Sequence, residues 1–125
     1  MVKSIFTVAA AALCFVVGAI AEKYYVSKDF GEFNEEVIRL ERKLNDETAT
    51  EEDVYALQNS WLEKKSNLHA FIPHTEIKEL DLWIAESIVY AEKEDYDECR
   101  AKITVVKELV EQIPKAFEFR PENIF

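Results

Sequence analysis

The N-terminal segment restricts this chain more than any other feature, because residues 4–21 contain no charged side chain. These eighteen residues lie at the lower edge of the roughly 17–25 that a helix needs to cross a hydrocarbon core of about 30 Å. Lys3 precedes the run, and Tyr24 and Tyr25 follow it. A tyrosine pair suits a membrane interface, where the hydroxyl groups stay in water. We therefore expect residues 4–21 to lie in a lipid bilayer.

Two interpretations of this segment are open. It is a permanent signal anchor, or it is a signal peptide cleaved after Ala21, because Ala19-Ile20-Ala21 has the small-x-small form of a cleavage site. The long apolar run and the absence of a linker after it favour the anchor. The amino terminus and Lys3 place positive charge before the run, which predicts a cytoplasmic N-terminus. Both interpretations give an extracytoplasmic domain, held at the cell membrane by a single pass in the first case and secreted in the second.

The remainder of the chain is acidic. Residues 22–125 carry 14 basic and 25 acidic side chains. Such a surface repels phosphate backbones, so we expect no nucleic-acid partner. The chain is 49% hydrophobic, which is typical of a folded domain and not of a disordered segment. We therefore divide the chain into a membrane or signal segment, residues 1–21, and one folded domain, residues 22–125.

Helical periodicity extends through this domain. Apolar residues from Val26 to Leu44 are spaced by alternating steps of four and three, which is a heptad pattern in a helix continuous with the membrane segment. A second helix is predicted from about Glu51 to Phe71, after an N-cap at Thr50. Its apolar face is interrupted by two lysines, residues 64–65.

The second half of the domain predicts two further helices. A third starts near Thr75, and a fourth follows a capping box formed by Asp95 and Glu98 and ends at Pro114. The short connection between them makes them antiparallel neighbours. The tail, residues 115–125, is expected to pack back on the bundle. The predicted fold is all-α, an N-terminal transmembrane helix followed by an up-and-down helical bundle.

The sequence contains no pattern typical of catalysis, cofactor binding or metal binding. Neither His69 nor His74 belongs to a Glu-x-x-His or His-Glu-x-x-His motif. Gly31 is the only glycine of the domain, so a phosphate loop or a nucleophile elbow is hard to build. Cys14 and Cys99 are placed too differently to predict a disulfide. We expect a protein that is not an enzyme and has no catalytic residue, cofactor or metal.

Four residues are candidates for binding a partner. Trp61 and Trp83 are the large aromatic residues of neighbouring helices, and His74 and Glu76 stand at the start of the third. Core packing of the tryptophans and local capping by His74 are the simpler interpretations of the same residues. We nevertheless expect the partner-binding surface to lie near these four side chains.

The second half of the chain also resembles a known family. The matching features are a tryptophan at Trp61, an H-x-E-I sequence at residues 74–77 and an N-I-F ending at residues 123–125. They resemble the domain-of-unknown-function 4363 family (DUF4363), small proteins of Gram-positive bacteria. The resemblance implies a membrane-anchored extracytoplasmic helical domain with no assigned activity, in a membrane complex. This chain departs from the family in a shorter, more alanine-rich anchor that ends in Ala-x-Ala, so cleavage stays open.

The expected function is that of a non-catalytic accessory or interaction subunit. Its partners are the lipid bilayer, through residues 4–21, and a membrane or envelope protein. The alternative is a ligand-binding, sensor-like helical module that is anchored, or released by cleavage after Ala21. The sequence does not give the oligomeric state.

Overall fold

A computed structural model describes residues 2–116 as four α-helices, and no strand occurs within that range. Short connections join the helices, and α1 packs against α2 and α4, while α3 packs against the same two helices. The result is an up-and-down bundle, which confirms the predicted all-α fold. The four elements are α1 (Val2–Asn45), α2 (Glu51–Leu68), α3 (His74–Glu92) and α4 (Tyr96–Ala116).

The heptad pattern of α1 forms one wall of the hydrophobic core. Every residue of α1 that the pattern predicted to face inward is buried, and the other three helices contribute apolar side chains to the same core. Cys99 is a free thiol and lies in this core, where it packs as a small apolar side chain. The buried positions of α1 are Val26, Phe30, Phe33, Val37, Leu40 and Leu44.

The first part of α1 has no packing partner within the chain. Residues 2–20 are exposed, although the segment is strongly apolar, and the helix continues without a break into the bundle. In the described part of the chain, α1 is the one helix long and apolar enough to cross a membrane, a property that signal sequences near an N-terminus share. The first buried side chain of α1 is Val26.

Three boundary predictions need correction or lie outside the described residues. α2 ends at Leu68 and not at Phe71, because the chain turns before Pro73, and Phe71 is half-buried in that turn. α4 continues past Pro114 to Ala116. A proline this near the helix end removes only one backbone hydrogen bond, and Pro114 helps to line a groove between α4 and α1. The predicted packing of residues 117–125 lies outside the described residues.

Two helices end in the same unusual way. Glu47 after α1 and Glu94 after α3 adopt the left-handed conformation, with φ of 59° and 60°. After α3, Asp95 N donates to Tyr90 O at 2.9 Å, and the Glu94 N–H donates to Ala91 O at 3.0 Å. This is the Schellman pattern, in which glycine is the usual left-handed residue. Glutamate at that position costs roughly 1 kcal/mol of backbone energy.

The helix α2 begins as its sequence predicts. Thr50 Oγ1 accepts from the Asp53 N–H, and the Asp53 carboxylate accepts from the Thr50 N–H at 2.9 Å, a complete capping box. Lys43 of α1 donates to Asp53 at 3.1 Å. The backbone hydrogen bond from Thr50, with help from Lys43, lowers the pKa of Asp53. The cap therefore also fastens the start of α2 to α1.

Replacing the left-handed glutamates by glycine should stabilise the protein. Glu47→Gly and Glu94→Gly should each raise the free energy of unfolding by about 0.5–1 kcal/mol, since glycine adopts positive φ without steric conflict. Urea denaturation of the full chain in detergent, followed by circular dichroism, measures the change. The matched control is Glu63→Gly, in the middle of α2, which should lower stability by about 1 kcal/mol. Loss of stability at 47 and 94 would contradict this account of the turns.

Candidate interaction surface

Trp61, the first candidate contact residue, belongs to the hydrophobic core. Its side chain is 1% exposed, and its ring centroid lies 5.4 Å from that of Phe33 on α1. The indole Nε1–H donates to Asp81 Oδ1 on α3 at 2.7 Å. A partner cannot reach a ring enclosed by α1 and α3, so Trp61 is not part of an accessible surface. It holds α2 to two neighbouring helices.

Asp81 links two polar groups of α2 to α3. Besides the Trp61 indole, it accepts from Lys65 Nζ through its second oxygen at 2.7 Å. Lys64 turns the other way, to Glu32 of α1 at 3.1 Å. The two lysines that interrupt the apolar face of α2 therefore lie at its two edges. One reaches α3 and the other α1, which explains how the core accommodates them.

Trp83 lies on the opposite side of α3 from Asp81, toward α4. It is half-buried, and its Nε1–H donates to Glu79 Oε2 at 3.1 Å. The Lys102 ammonium of α4 lies 5.1 Å from the Trp83 ring centroid, a cation–π distance, and 3.7 Å from Glu86. Part of the Trp83 ring is therefore covered by α4. Trp61 and Trp83 do not share a surface.

The last two candidates lie at the start of α3. His74 is the exposed first residue of the helix, and Glu76 follows, half-buried, in its first turn. The His74 ring centroid lies 6.1 Å from that of His69, which is also exposed. His74 is therefore accessible to a partner, and its role in binding stays a prediction. The four candidates are spread over several sides of the bundle.

A different surface presents exposed apolar side chains together. Tyr55 and Leu62 lie seven residues apart on one face of α2, and Leu82 and Val89 lie seven apart on α3. All four are exposed, Leu62 by 50% and Leu82 by 53%. The Tyr55 hydroxyl donates to Glu92 at the far end of α3, which shows that this face of α2 adjoins α3. We call these four residues the outer α2–α3 face.

The sequence itself indicates this face, although the apolar periodicity of each helix does not include its residues. Leu62 and Leu82 stand one residue beyond Trp61 and Asp81, off the apolar stripe of their helices. A large apolar residue away from the stripe has no core position to fill. Two such residues on one helix, spaced by seven, indicate an exposed apolar strip. Neighbouring helices must be paired before the two strips can be seen as one surface.

The grooves of the bundle are open and lined by charged residues. One of about 340 Å³ lies between α1 and α2 and includes Arg39, Lys43 and Asp53. Another of about 300 Å³ lies beside Tyr96 at the far end of the bundle. Among residues 2–116, no group of three or more His, Cys, Asp or Glu side chains is arranged to hold a metal ion. None of these grooves resembles an enclosed, apolar ligand pocket.

Asp81 should contribute more to stability than an ordinary surface carboxylate. Asp81→Ala leaves the enclosed Trp61 N–H and Lys65 without their acceptor, so the free energy of unfolding should fall by about 1–3 kcal/mol. Asp81→Asn should cost less, because its amide oxygen can still accept from Trp61. The control is Asp97→Ala, whose side chain is 93% exposed. Urea denaturation in detergent, followed by tryptophan fluorescence, measures all three. Equal effects of Asp81→Ala and Asp97→Ala would contradict the network.

Comparison with known proteins gives one match. A family model covers residues 20–124, which includes the bundle and the last residues of the apolar segment. No curated protein and no solved structure matches the chain. The match extends over most of the chain and includes the tryptophan and the H-x-E-I sequence on which the resemblance was based. The chain therefore belongs to the family described as a domain of unknown function (DUF4363).

Proposed function

We propose that this protein is a membrane-anchored, extracytoplasmic interaction subunit, without catalytic activity, of a complex in the membrane or cell envelope. The observation that carries the proposal is the division of α1 into two parts. Residues 2–20 are apolar and exposed, whereas Val26 to Leu44 form a wall of the core. An exposed apolar helix of this length is stable in lipid and unfavourable in water. The continuity of α1 supports a direct, rigid attachment of the bundle to the bilayer.

The proposed orientation follows from charge. The positive amino terminus and Lys3 stay in the cytoplasm, and the acidic bundle lies outside. No charged residue separates Lys3 from Glu22, so nothing within the segment opposes its insertion. The bundle then works in the space next to the membrane, where a membrane or envelope protein is its partner.

The alternative is a ligand-binding module secreted after cleavage following Ala21. A cut at this point would remove no core residue, because Val26 is the first buried side chain of α1. Two observations favour the anchored protein. Ala21 and Glu22 are half-buried within a continuous helix, and the grooves are open and charged, which suits ligand binding poorly.

The outer α2–α3 face is the best-supported partner-binding surface. Four large apolar side chains lie exposed there, and exposed apolar side chains that lie together are typical of protein interaction sites. The carboxylates beside the face already have partners within the chain, Asp81 with Lys65 and Glu92 with the Tyr55 hydroxyl. A partner with a complementary apolar patch fits this arrangement. The exposed His74 lies at the membrane-proximal end of the same helix.

Counting thiols should separate the anchored protein from the secreted one. Cys14 is exposed within the described part of the chain, so in the anchored protein it lies in lipid. Burial raises the pKa of the Cys99 thiol to about 11, which keeps it unreactive in the folded bundle. A large, water-soluble maleimide should modify neither thiol in intact membranes and both in dodecyl sulfate.

The outcomes of that experiment are distinct. One modified thiol in dodecyl sulfate, on a protein lost from membranes by alkaline carbonate, would mean that cleavage had removed Cys14. Reaction of Cys14 in intact membranes would contradict its location in lipid. Two modified thiols on carbonate-resistant protein would support the anchor.

A photo-crosslinking amino acid tests the partner surface. Placed at Leu82, it should give one discrete adduct in native membranes, and Leu62→Asp on the same chain should abolish that adduct. Thr104 is the matched control, exposed on α4 away from this face, and should give no adduct. Leu62→Asp should leave the melting temperature nearly unchanged, because Leu62 is 50% exposed. An adduct equally strong from Thr104, or insensitive to Leu62→Asp, would contradict the assignment.

A further inference from the structure

We infer that the membrane-proximal end of the bundle rests in the lipid headgroup layer, so that the bundle contacts the membrane through the α2–α3 turn as well as through α1. The inference depends on the proposed anchoring of residues 4–21. The proximal end consists of residues 22–29 of α1 and the turn of residues 69–73. Its partner is the headgroup layer of the bilayer that holds the anchor.

The geometry of α1 leaves little space between bilayer and bundle. The apolar run ends at Ala21, and Ala21 and Glu22 are already half-buried. A helix rises about 1.5 Å per residue, so Tyr25 lies about 6 Å beyond the end of the run. The headgroup layer on each side of a bilayer is itself roughly 5–7 Å thick. Because α1 has no break, it has no hinge that would let the bundle move away from this layer.

The α2–α3 turn lies at the same height as this part of α1. A groove at the proximal end is lined by Tyr25, Lys28 and Asp29 of α1 together with Asn67 and Phe71. Because α2 runs toward the membrane in the proposed topology, the turn that follows Leu68 lies at the membrane-proximal end of the bundle. The turn therefore reaches the depth of Tyr25.

The side chains at this end suit a headgroup environment. Tyr24 is 62% exposed and Tyr25 is 55% exposed, and tyrosine is enriched at membrane interfaces because its ring is apolar and its hydroxyl polar. In the turn, His69 and Ala70 are exposed and Phe71 is half-buried. Most of both tyrosine rings lies outside the bundle, and the headgroup layer is a favourable environment for them.

The distribution of charge along the bundle also favours contact between its proximal end and the membrane. The half of the bundle nearer the membrane, residues 22–34, 62–83 and 110–116, carries six basic and eight acidic residues. The far half, residues 35–61 and 84–109, carries seven basic and fifteen acidic residues. An anionic membrane surface repels the far half, and this repulsion decays over about 8 Å at physiological ionic strength. The bundle thus presents its nearly neutral end to the lipid.

Fluorescence quenching in vesicles tests this contact on the full chain. In a Cys14→Ser background, Ala70→Cys carries an environment-sensitive fluorophore, and the protein is reconstituted into phosphatidylcholine and phosphatidylglycerol vesicles with a headgroup-attached quencher. The matched control is Thr48→Cys, exposed in the connection at the far end of the bundle. The label at residue 70 should be strongly quenched and the label at residue 48 should keep its emission. Equal quenching at both positions would overturn the inference.

An insertion that lengthens α1 is the second part of the test. Seven residues of alternating alanine and charged side chains between Lys23 and Tyr24 nearly preserve the helical phase and raise the bundle by about 10 Å. Quenching at residue 70 should then be lost, with the melting temperature unchanged. Quenching that persists would overturn the inference. Failure of the anchor itself gives a different result, since the protein would leave the vesicles in alkaline carbonate.

Discussion

The packing of one face of α1 against α2 and α4 is the interaction on which the rest of the structure depends. Six side chains between Val26 and Leu44 are buried there, and burial of side chains this size contributes on the order of 10 kcal/mol in total. That is comparable to the whole stability of a small domain, about 5–15 kcal/mol. α1 therefore cannot leave the bundle without unfolding it. Any force or displacement applied to the apolar N-terminal segment reaches the bundle through a helix that is part of its core.

Residues that follow the period of a helix could be predicted from the sequence, and those that depend on pairing between helices could not. The heptad of α1 and the N-cap at Thr50 are local patterns, and the structure confirms both. Lys64 and Lys65 looked anomalous because their acceptors, Glu32 and Asp81, lie on other helices. No spacing within α2 identifies those partners, so the centre of that helix was the least certain part of the prediction.

The two tryptophans show the same limit of sequence-based prediction at the candidate interaction surface. Trp61 follows Val54 and Leu57 at the spacing of core residues, so helical periodicity predicts that it is buried. Only the large size of its side chain suggested a surface role. The outer α2–α3 face was missed for the opposite reason. Leu62 and Leu82 each look like an isolated apolar residue on a polar side, which is common and carries no information singly. They form a surface only after α2 and α3 are placed next to each other.

The far end of the bundle combines an energetic disadvantage with strong negative charge. Glu47 and Glu94 occupy left-handed positions where glycine would be more stable, and acidic side chains surround both in sequence. Helix first turns benefit from acids, which interact with the N-terminal end of the helix dipole, and this explains Glu51, Glu52 and Asp53. It does not explain the left-handed glutamates, which follow helix ends where the dipole disfavours negative charge. Nothing in the packing of these turns accounts for that choice.

The proposed anchoring of the bundle by residues 4–21 sets the height at which a partner can bind. The cross-helix contacts of Glu36 with Ser60 and of Lys43 with Asp53 place Leu62 level with residue 34 of α1 and Tyr55 level with residue 41. At about 1.5 Å per residue, the outer α2–α3 face then lies roughly 20–30 Å beyond the end of the apolar run. A protein confined to the bilayer and its headgroups cannot reach this surface. The partner that our proposal requires must therefore carry an extracytoplasmic domain or long loops that extend at least 20 Å from the lipid.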